Sequence, residues 1–319
     1  MKILITGGCG FIGSNFVHTF HNKYDITVLD ALTYCGRREN LSGTKHEFIH
    51  GDIRNKKLVN SIMKKDIDTV IHFAASTHVD RSIENPMEFL SVDAFGTTIL
   101  LEAARKHDIN RFVMISTDEI YGSIEKGSFS EDDPFRPSSP YSVSKASADL
   151  ICQAYYKTYG LPIVIVRPSN NFGCMQFPEK LIPRFTILAL QDKKLPLFGN
   201  GLQRREWLYV LDCVDAIDLV MRKGKKGEAY NIGGGKKNER TNLWIAKFIL
   251  NEFKKPENLI EFVKDRPGHD VRYFLDSSKI KKLGWKPGWK LEDALKKTIQ
   301  WYVSNPGYWR SLTEDKFVK

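Results

Sequence analysis

The sequence predicts an α/β protein: a Rossmann-type, doubly wound parallel sheet with a smaller, mixed lobe towards the C-terminus. Three observations carry this expectation. Short β-branched apolar runs alternate with polar-faced helical stretches over residues 1–169, the pattern of a parallel sheet covered on both faces. A glycine-rich turn, "ITGGCGFIGS", follows the first run and opens a helix. The second run ends in an acid, Asp30, 17 residues after Gly13.

The strands in order are "KILIT", "ITVLD", "EFIH", "DTVIHFAA", "RFVMIS" and "LPIVIVRPS", the last closed by Pro168. Two helices carry start signals. In "NPME", Asn85 takes the N-cap, Pro86 the first turn and Glu88 the third position; in "SPYS", Ser139 caps and Pro140 follows. Such residues satisfy or avoid the free N–H groups of a helix start. Beyond about residue 170 the pattern breaks into loops such as "NNFGCMQFPEK" and short helices. "EWLYVLDCVDAIDLVMRKG" reads as a strand end and a helix returning to the first lobe. We therefore expect residues 1–169 with a returning segment near 207–232 as one lobe, and 170–206 with 233–319 as the other. No Ser/Gly-rich linker divides them.

The 319 residues show no internal repeat and suffice for a large core. With 42% hydrophobic and 27% charged residues, and no apolar run near the length of a span, no membrane segment is expected. The N-terminus enters a strand at once, which leaves no signal-peptide pattern there. Cys9, Cys35, Cys152, Cys174 and Cys213 show neither CxxC nor Cys/His metal spacing. They read as reduced thiols of a cytoplasmic protein, with no metal site. The net charge of +10 comes largely from lysines spread over turns and helix faces, as in "RKGKKGE". Solvated surface lysine is the simpler reading, so no nucleic-acid partner is expected, and the excess favours an anionic small substrate.

The glycine turn contains Gly8-x-Gly10-x-x-Gly13 and, counted from Gly7, Gly-x-x-Gly-x-x-Gly. Placed between a strand and a helix, it lets backbone N–H groups approach a pyrophosphate. The Asp30 carboxylate can accept both ribose hydroxyls of an adenosine and would repel a 2′-phosphate, which favours NAD over NADP. The expected cofactor set is Gly7, Gly10, Phe11, Ile12, Gly13, Asp30, Asp52, Ile53, Ala74, Tyr141 and Lys145. Asp52, in "GDIR", could reach the adenine or simply form a turn. Tyr141 and Lys145, in "YSVSK", lie four apart early in a helix and share a face. An ammonium beside a phenol favours the phenolate, which can take a proton from a sugar hydroxyl while a hydride leaves to NAD. Thr117 at a strand end completes that set.

These motifs, with "HFAASTHVDRSI", "STDEIYG", "SNNFG", "FPEKLIP", "REWLYV", "NIGG" and "DRPGHDVRY", resemble the extended short-chain dehydrogenases/reductases, and within them the nucleoside-diphosphate-glucose 4,6-dehydratases. The resemblance runs nearly end to end. It implies C4 oxidation of the hexose by a tightly bound NAD that is regenerated each turnover. Elimination of water across C5–C6 and hydride return to C6 follow. It implies Thr117 on O4, Tyr141 as base for the O4 proton, Lys145 tuning it, Glu119 as base at C5 and Asp118 as acid at the C6 hydroxyl. Two carboxylates in one pocket can divide these tasks if their surroundings separate their pKa values. On the substrate side it implies Thr77, Asn171, Lys180, Leu181, Arg205, Asn231, Arg266 and Tyr273. It also implies a homodimer through helices near 86–106 and 140–159, both apolar around much of their circumference. Three departures stand out: Asp93 where the wider family usually has Asn, Ser76 where Glu is common, and Cys174-Met175 in place of Pro-Tyr. The alternatives on the same scaffold are a 4-epimerase or uronate decarboxylase, neither of which needs the Asp118–Glu119 pair, and a non-catalytic NAD-binding regulator.

Overall fold

The computed structural model describes residues 1–265 and 270–313. The first half runs β1 (Lys2–Thr6), α1 (Phe11–Phe20), β2 (Asp25–Asp30), β3 (Glu47–His50), α2 (Lys56–Met63), β4 (Thr69–His72), α3 (Val79–Glu84), α4 (Pro86–Leu90), α5 (Thr97–Lys106), β5 (Arg111–Ile115), α6 (Pro140–Tyr159) and β6 (Ile163–Pro168). The second half runs β7 (Asn170–Phe172), α7 (Leu181–Leu190), β8 (Leu195–Phe198), β9 (Arg204–Tyr209), α8 (Val210–Lys223), β10 (Ala229–Ile232), β11 (Glu239–Thr241), α9 (Asn242–Glu252), β12 (Ile260–Val263), α10 (Ser278–Lys282), α11 (Leu291–Ser304) and α12 (Pro306–Thr313).

Seven strands form one parallel sheet in the order β10-β6-β5-β4-β1-β2-β3. Both of its faces are dry. Ile3, Ile5, Val28, Val113 and Val164 join one core with α1 and α8, while Leu4, Leu29, Phe112, Met114 and Ile163 join the other with α2, α5 and α6. Successive side chains point to opposite faces, so a strand covered on both sides reads as an unbroken apolar run. The first core continues through Phe172, Ile182, Phe185, Ile245 and Leu295 into the smaller lobe, so one apolar mass joins the two.

Ser139 caps α6 as its spacing predicts. Its hydroxyl accepts from Ser142 N (3.1 Å) and the Ser142 hydroxyl accepts from Ser139 N (2.9 Å). Two expectations need refinement. The helix expected over 86–106 forms without a gap, but α4 and α5 are joined through a π-helical turn over Ser91–Gly96. There the Thr97 hydroxyl donates to the Asp93 carbonyl and competes with the helical ladder. Asn85 precedes Pro86 as expected, without a side-chain cap bond. The returning segment also divides. β9 pairs with β7 and β11 in a separate three-stranded sheet, while β10 joins the main sheet beside β6. An apolar strand pattern does not name its partner, and the sequence reading merged the two.

Candidate active site

From β1 the chain winds to β2 and β3 on one side and to β4, β5 and β6 on the other. Where the order reverses, the C-terminal strand ends splay and leave a crevice, the usual binding position in open α/β sheets. A cavity of about 620 Å³ fills it. A second, of about 490 Å³, opens towards the smaller lobe. Glu119, Asn170, Asn171, Gln176, Glu179 and Lys180 line both, so the two are continuous.

The turn after β1 requires its glycines. Gly7 has φ +71°, and a Cβ on it would lie 2.5 Å from Ala74 N. A Cβ on Gly13 would lie 2.5 Å from Gly7 O and 2.9 Å from Gly8 Cα. Without side chains the turn stays flat against the cavity, and α1 starts there with Gly10 as its N-cap. Phe11, Ile12, Asp52, Ile53 and Ala74 line the same cavity. Asp30, at the end of β2, accepts Cys9 N on one carboxyl oxygen and Leu32 N on the other (2.8 Å each). Both bonds fix its orientation and leave lone pairs for ligand hydroxyls. Burial raises its pKa against those two bonds. Asp52 is forked by Arg54 at 2.7–3.0 Å; burial raises its pKa, and Arg54 outweighs this to leave it below the ordinary value. The cavity thus has a cradle open to backbone donors and an oriented acid, which fits an adenine dinucleotide.

β5 ends at Ile115, and Thr117 is extended before a tight turn over Asp118–Tyr121. Asp118 is 3% exposed. The Thr117 hydroxyl donates to its Oδ1 (3.2 Å), and its Oδ2 is buried with no hydrogen-bond partner. Burial first, then the charges of Glu119 and Glu206, hold its pKa well above the carboxylate range. Glu119 lies at the mouth shared by the two cavities. Tyr141 and Lys145, from the first two turns of α6, line the first cavity beside them.

The electrostatics of Tyr141 differ from the sequence expectation. Burial, then the charges of Glu119 and Asp93, raise its pKa well above the ordinary value, and a hydrogen bond with Thr117 opposes them. The Lys145 ammonium is turned to Ile115 O (2.7 Å). Its own pKa is lowered by burial, against the pull of Asp93 and Asp149. Spacing places the two side chains on one face; it does not fix where the ammonium points.

On the substrate side, Thr77 lines the first cavity and its carbonyl accepts the Lys180 ammonium (2.7 Å). Lys180 caps α7, Leu181 opens it, and Asn171 sits in β7. The Arg205 guanidinium lies 4.4 Å from the Tyr273 ring and donates to Asp270 O (2.9 Å). Arg205, Tyr273 and Leu181 line the second cavity. Asn231 does not join them. It is fully buried in β10, where its amide accepts the Tyr121 hydroxyl (2.9 Å) and donates to Phe129 O (3.0 Å). Its hydrogen-bonding capacity serves the fold. Arg266 lies outside the described residues. Cys174 and Met175 line neither cavity; their carbonyls accept Asn15 Nδ2 (3.1 Å) and the Tyr308 hydroxyl (2.7 Å) behind the wall.

Sequence reasoning passed over Tyr34, Asn170 and Glu179. The Tyr34 hydroxyl donates to Glu179 Oε1 (3.0 Å) across the first cavity's rim. The Asn170 amide oxygen is buried without a partner. The available signals were adjacency alone: Asn170 beside Asn171, Glu179 beside Lys180. Among the described residues there is no cluster fit to hold a metal ion and no helix long and apolar enough to cross a membrane.

Fold and site together define an extended short-chain dehydrogenase/reductase. The chain belongs to the family described as GDP-mannose 4,6 dehydratase, whose profile matches residues 4–298. It is 48% identical over 311 residues to the low-salt glycan biosynthesis protein Agl12 of Haloferax volcanii, covering 96% of this chain and 99% of that one. It is 44% identical to the dTDP-glucose 4,6-dehydratase of Streptomyces niveus (98% and 96% covered). The crystal structure of the dTDP-glucose 4,6-dehydratase of Streptomyces venezuelae with NAD bound superposes with a TM-score of 0.95 at 42% identity, covering 98% of this chain and all of that one.

Proposed function

We propose that this chain dehydrates a nucleoside-diphosphate glucose, dTDP-glucose first among them, to the 4-keto-6-deoxy sugar nucleotide. The observation that carries this reading is the unequal pair at the end of β5: a buried carboxyl, Asp118, with one oxygen unpartnered and its pKa raised, beside Glu119, which lines both cavities. Relatives named for this activity, solved with NAD, support it.

Gly7, Gly10, Phe11, Ile12 and Gly13 would hold the pyrophosphate of NAD, and Asp30 its adenosine ribose, with Asp52, Ile53 and Ala74 around the rest. When bound, NAD supplies the acceptor for the C4 hydride and its donor back to C6. Tyr141 takes the O4 proton while Thr117 orients O4, and Lys145 sets the charge around the phenol. Oxidation at C4 makes the C5 hydrogen acidic. Glu119 then removes it, and Asp118 protonates the departing C6 hydroxyl. Asn171, Lys180, Leu181, Arg205 and Tyr273 hold the diphosphate and nucleoside in the second cavity, with Thr77 on the side of the first, and Arg205 is a forked cation for phosphate oxygens. In this reading residues 1–169 with α8 and β10 form the cofactor lobe and the remainder the substrate lobe.

Incubation with dTDP-, UDP- and CDP-glucose should give a product lighter by one water, with the alkaline ultraviolet absorbance of a 4-keto sugar. If no nucleotide glucose loses water, the reading is wrong. Replacing Asp118 and Glu119 together by Asn and Gln should abolish the reaction, whereas a 4-epimerase would stay largely active.

The same reading includes a homodimer in the cytoplasm. Phe95 (62% exposed) from the π-turn, Val143 and Leu150 (53%) from α6, Ile83 from α3 and Met87 from α4 are exposed apolar side chains on elements that pack together. A patch of this kind suits a self-complementary contact. All five cysteines are free, as in a reducing compartment. A sedimentation mass of one chain at micromolar concentration would overturn the dimer.

A further inference from the structure

Asp93 is a buried carboxylate that the chemistry above leaves without a task. It sits in the π-turn Ser91–Gly96, 1% exposed, against α6. Its Oδ1 accepts from Ser76 N (3.2 Å) and its Oδ2 from Ser144 Oγ (2.5 Å). Ser76 belongs to the loop after β4 that lines the first cavity, and Ser144 directly precedes Lys145. One side chain therefore ties the cavity loop to the turn of α6 that carries the lysine. π-turns of this kind often occur at functional positions, because the extra residue re-aims the side chains that follow.

The charges around Lys145 leave Asp93 a distinct place. From β4, His72 is fixed between the Thr6 and Thr97 hydroxyls, and burial pushes its pKa down to about 3, so it is neutral. From α6, Asp149 is forked by Arg167 (2.9 Å to each oxygen). From α4, Glu88 is turned outward to Arg54, and from α5, Glu102 pairs with Arg105 at the surface. Tyr141 stands in the first turn of α6, where burial, then the charges of Glu119 and Asp93, raise its pKa. Lys145 itself is buried, with its hydrogen bond to Ile115 O.

We infer that Asp93 is a positioning residue for Lys145: its carboxylate is the counter-charge that keeps the buried lysine an ammonium, acting through space, while its two hydrogen bonds fix the helix turn and the cavity loop around it. The wider family that the chain resembles usually has a neutral Asn at this position, so the charge is a departure from that pattern. The inference deepens the proposed dehydratase reading and rests on it for the role of Lys145. Burial raises the Asp93 pKa to about 6, with Lys145, Ser144 and Ser76 opposing. The counter-charge is then present above that value and lost below it.

A double-mutant cycle on thermal stability tests this, using full-length protein with saturating NAD. Asp93→Asn is nearly isosteric and can still bond Ser144. At about pH 8, Lys145→Met should lower Tm by several degrees more in the wild-type background than in the Asp93→Asn background, because there it strands a buried carboxylate. At about pH 5, where Asp93 is protonated, that difference should shrink towards zero. Equal costs in both backgrounds at pH 8, or a difference unchanged at pH 5, would overturn the inference; the latter would mean a hydrogen-bonding role alone. Should Asp93→Asn not fold, Lys145→Met by itself decides. Loss of the ammonium raises the Asp93 pKa further, so its Tm should fall between pH 6 and 8 relative to wild type. A curve parallel to wild type would refute the idea. The cycle needs no turnover, so failure of all nucleotide glucoses to react would refute the functional reading and leave the Asp93 result separately decided. Where turnover is seen, Asp93→Asn should move the alkaline limb of kcat/KM to lower pH by about one unit.

Discussion

Asp118→Asn keeps the shape of the side chain and removes its transferable proton. The carboxyl is buried, bonded by Thr117 on one oxygen and unpartnered on the other. Burial, then the charges of Glu119 and Glu206, raise its pKa well above the ordinary carboxylate range. An amide can still accept the Thr117 hydroxyl but cannot protonate the departing C6 oxygen. Loss of a general acid costs roughly 10²–10⁴-fold, about 3–5 kcal/mol at ~1.4 kcal/mol per decade. Burial limits replacement by water, which places the expected loss towards the upper end. C4 oxidation does not use Asp118. In a single turnover the variant should therefore still give the near-ultraviolet absorbance of reduced nicotinamide, with little dehydrated product by mass spectrometry. The acid must carry its proton, so wild-type elimination falls as pH rises through the raised pKa. Glu119→Gln removes the second cause of that rise and should shift the Asp118 contribution to the pH dependence of Tm to lower pH. Stability follows the same sign. With the folded pKa above the unfolded one, wild-type stability declines as pH rises from the ordinary carboxylate value through the folded value. Asp118→Asn lacks that slope, and its Tm at neutral pH should be no lower than wild type. Full-rate elimination by Asp118→Asn, or loss of C4 oxidation in a well-folded variant, would refute the assignment.

Glu119→Gln should stop exchange of the C5 hydrogen with solvent deuterium; wild-type exchange, followed by mass spectrometry, would point to Tyr141 as the base. Gly13→Ala puts a Cβ 2.5 Å from Gly7 O, so overpacking should cost about 1–3 kcal/mol and the Tm increase on adding NAD should vanish. An unchanged NAD-induced increase would show that the cradle is not where the dinucleotide binds. Arg167→Met strands Asp149, which is fully buried and forked by that arginine; a loss of about 3–5 kcal/mol in denaturant unfolding is expected, with partial recovery in Arg167→Met/Asp149→Leu. A loss below about 1 kcal/mol would show that Asp149 finds another partner.

What was legible in the sequence was local. The strands of the main sheet read as apolar runs because each is buried on both faces, and Ser139 announced α6 because capping is settled within four residues. Gly7, Gly13 and Asp30 were readable because a βα turn leaves few choices there. What was hidden depends on partners distant in sequence. Asn231 stands beside a glycine pair and looks like a ligand, yet Tyr121 and Phe129, over a hundred residues earlier, occupy its amide. Tyr34 and Glu179 meet across 145 positions. The π-turn at Ser91–Gly96 leaves the apolar pattern of its helix nearly intact, so periodicity passes over it.

The adjacency of Asp118 and Glu119 now has a physical reason. Two neighbouring residues in a regular strand would face opposite sides of the sheet, and in a long helix they would diverge by a hundred degrees. The tight turn after Thr117 instead sends one carboxyl inward, where it is buried, and leaves the other at the mouth between two cavities. Burial alone would raise the pKa of Asp118; the neighbouring charge of Glu119 raises it further. The interaction favours the proton on the buried member. In the proposed mechanism, sequence adjacency thus favours the proton on the acid through one interaction. Separating the carboxylates along the chain would remove that repulsion and require two independently tuned environments. A strand that ends in Thr-Asp-Glu obtains both from a single turn, which is why this triplet says more about elimination chemistry than either acid does alone.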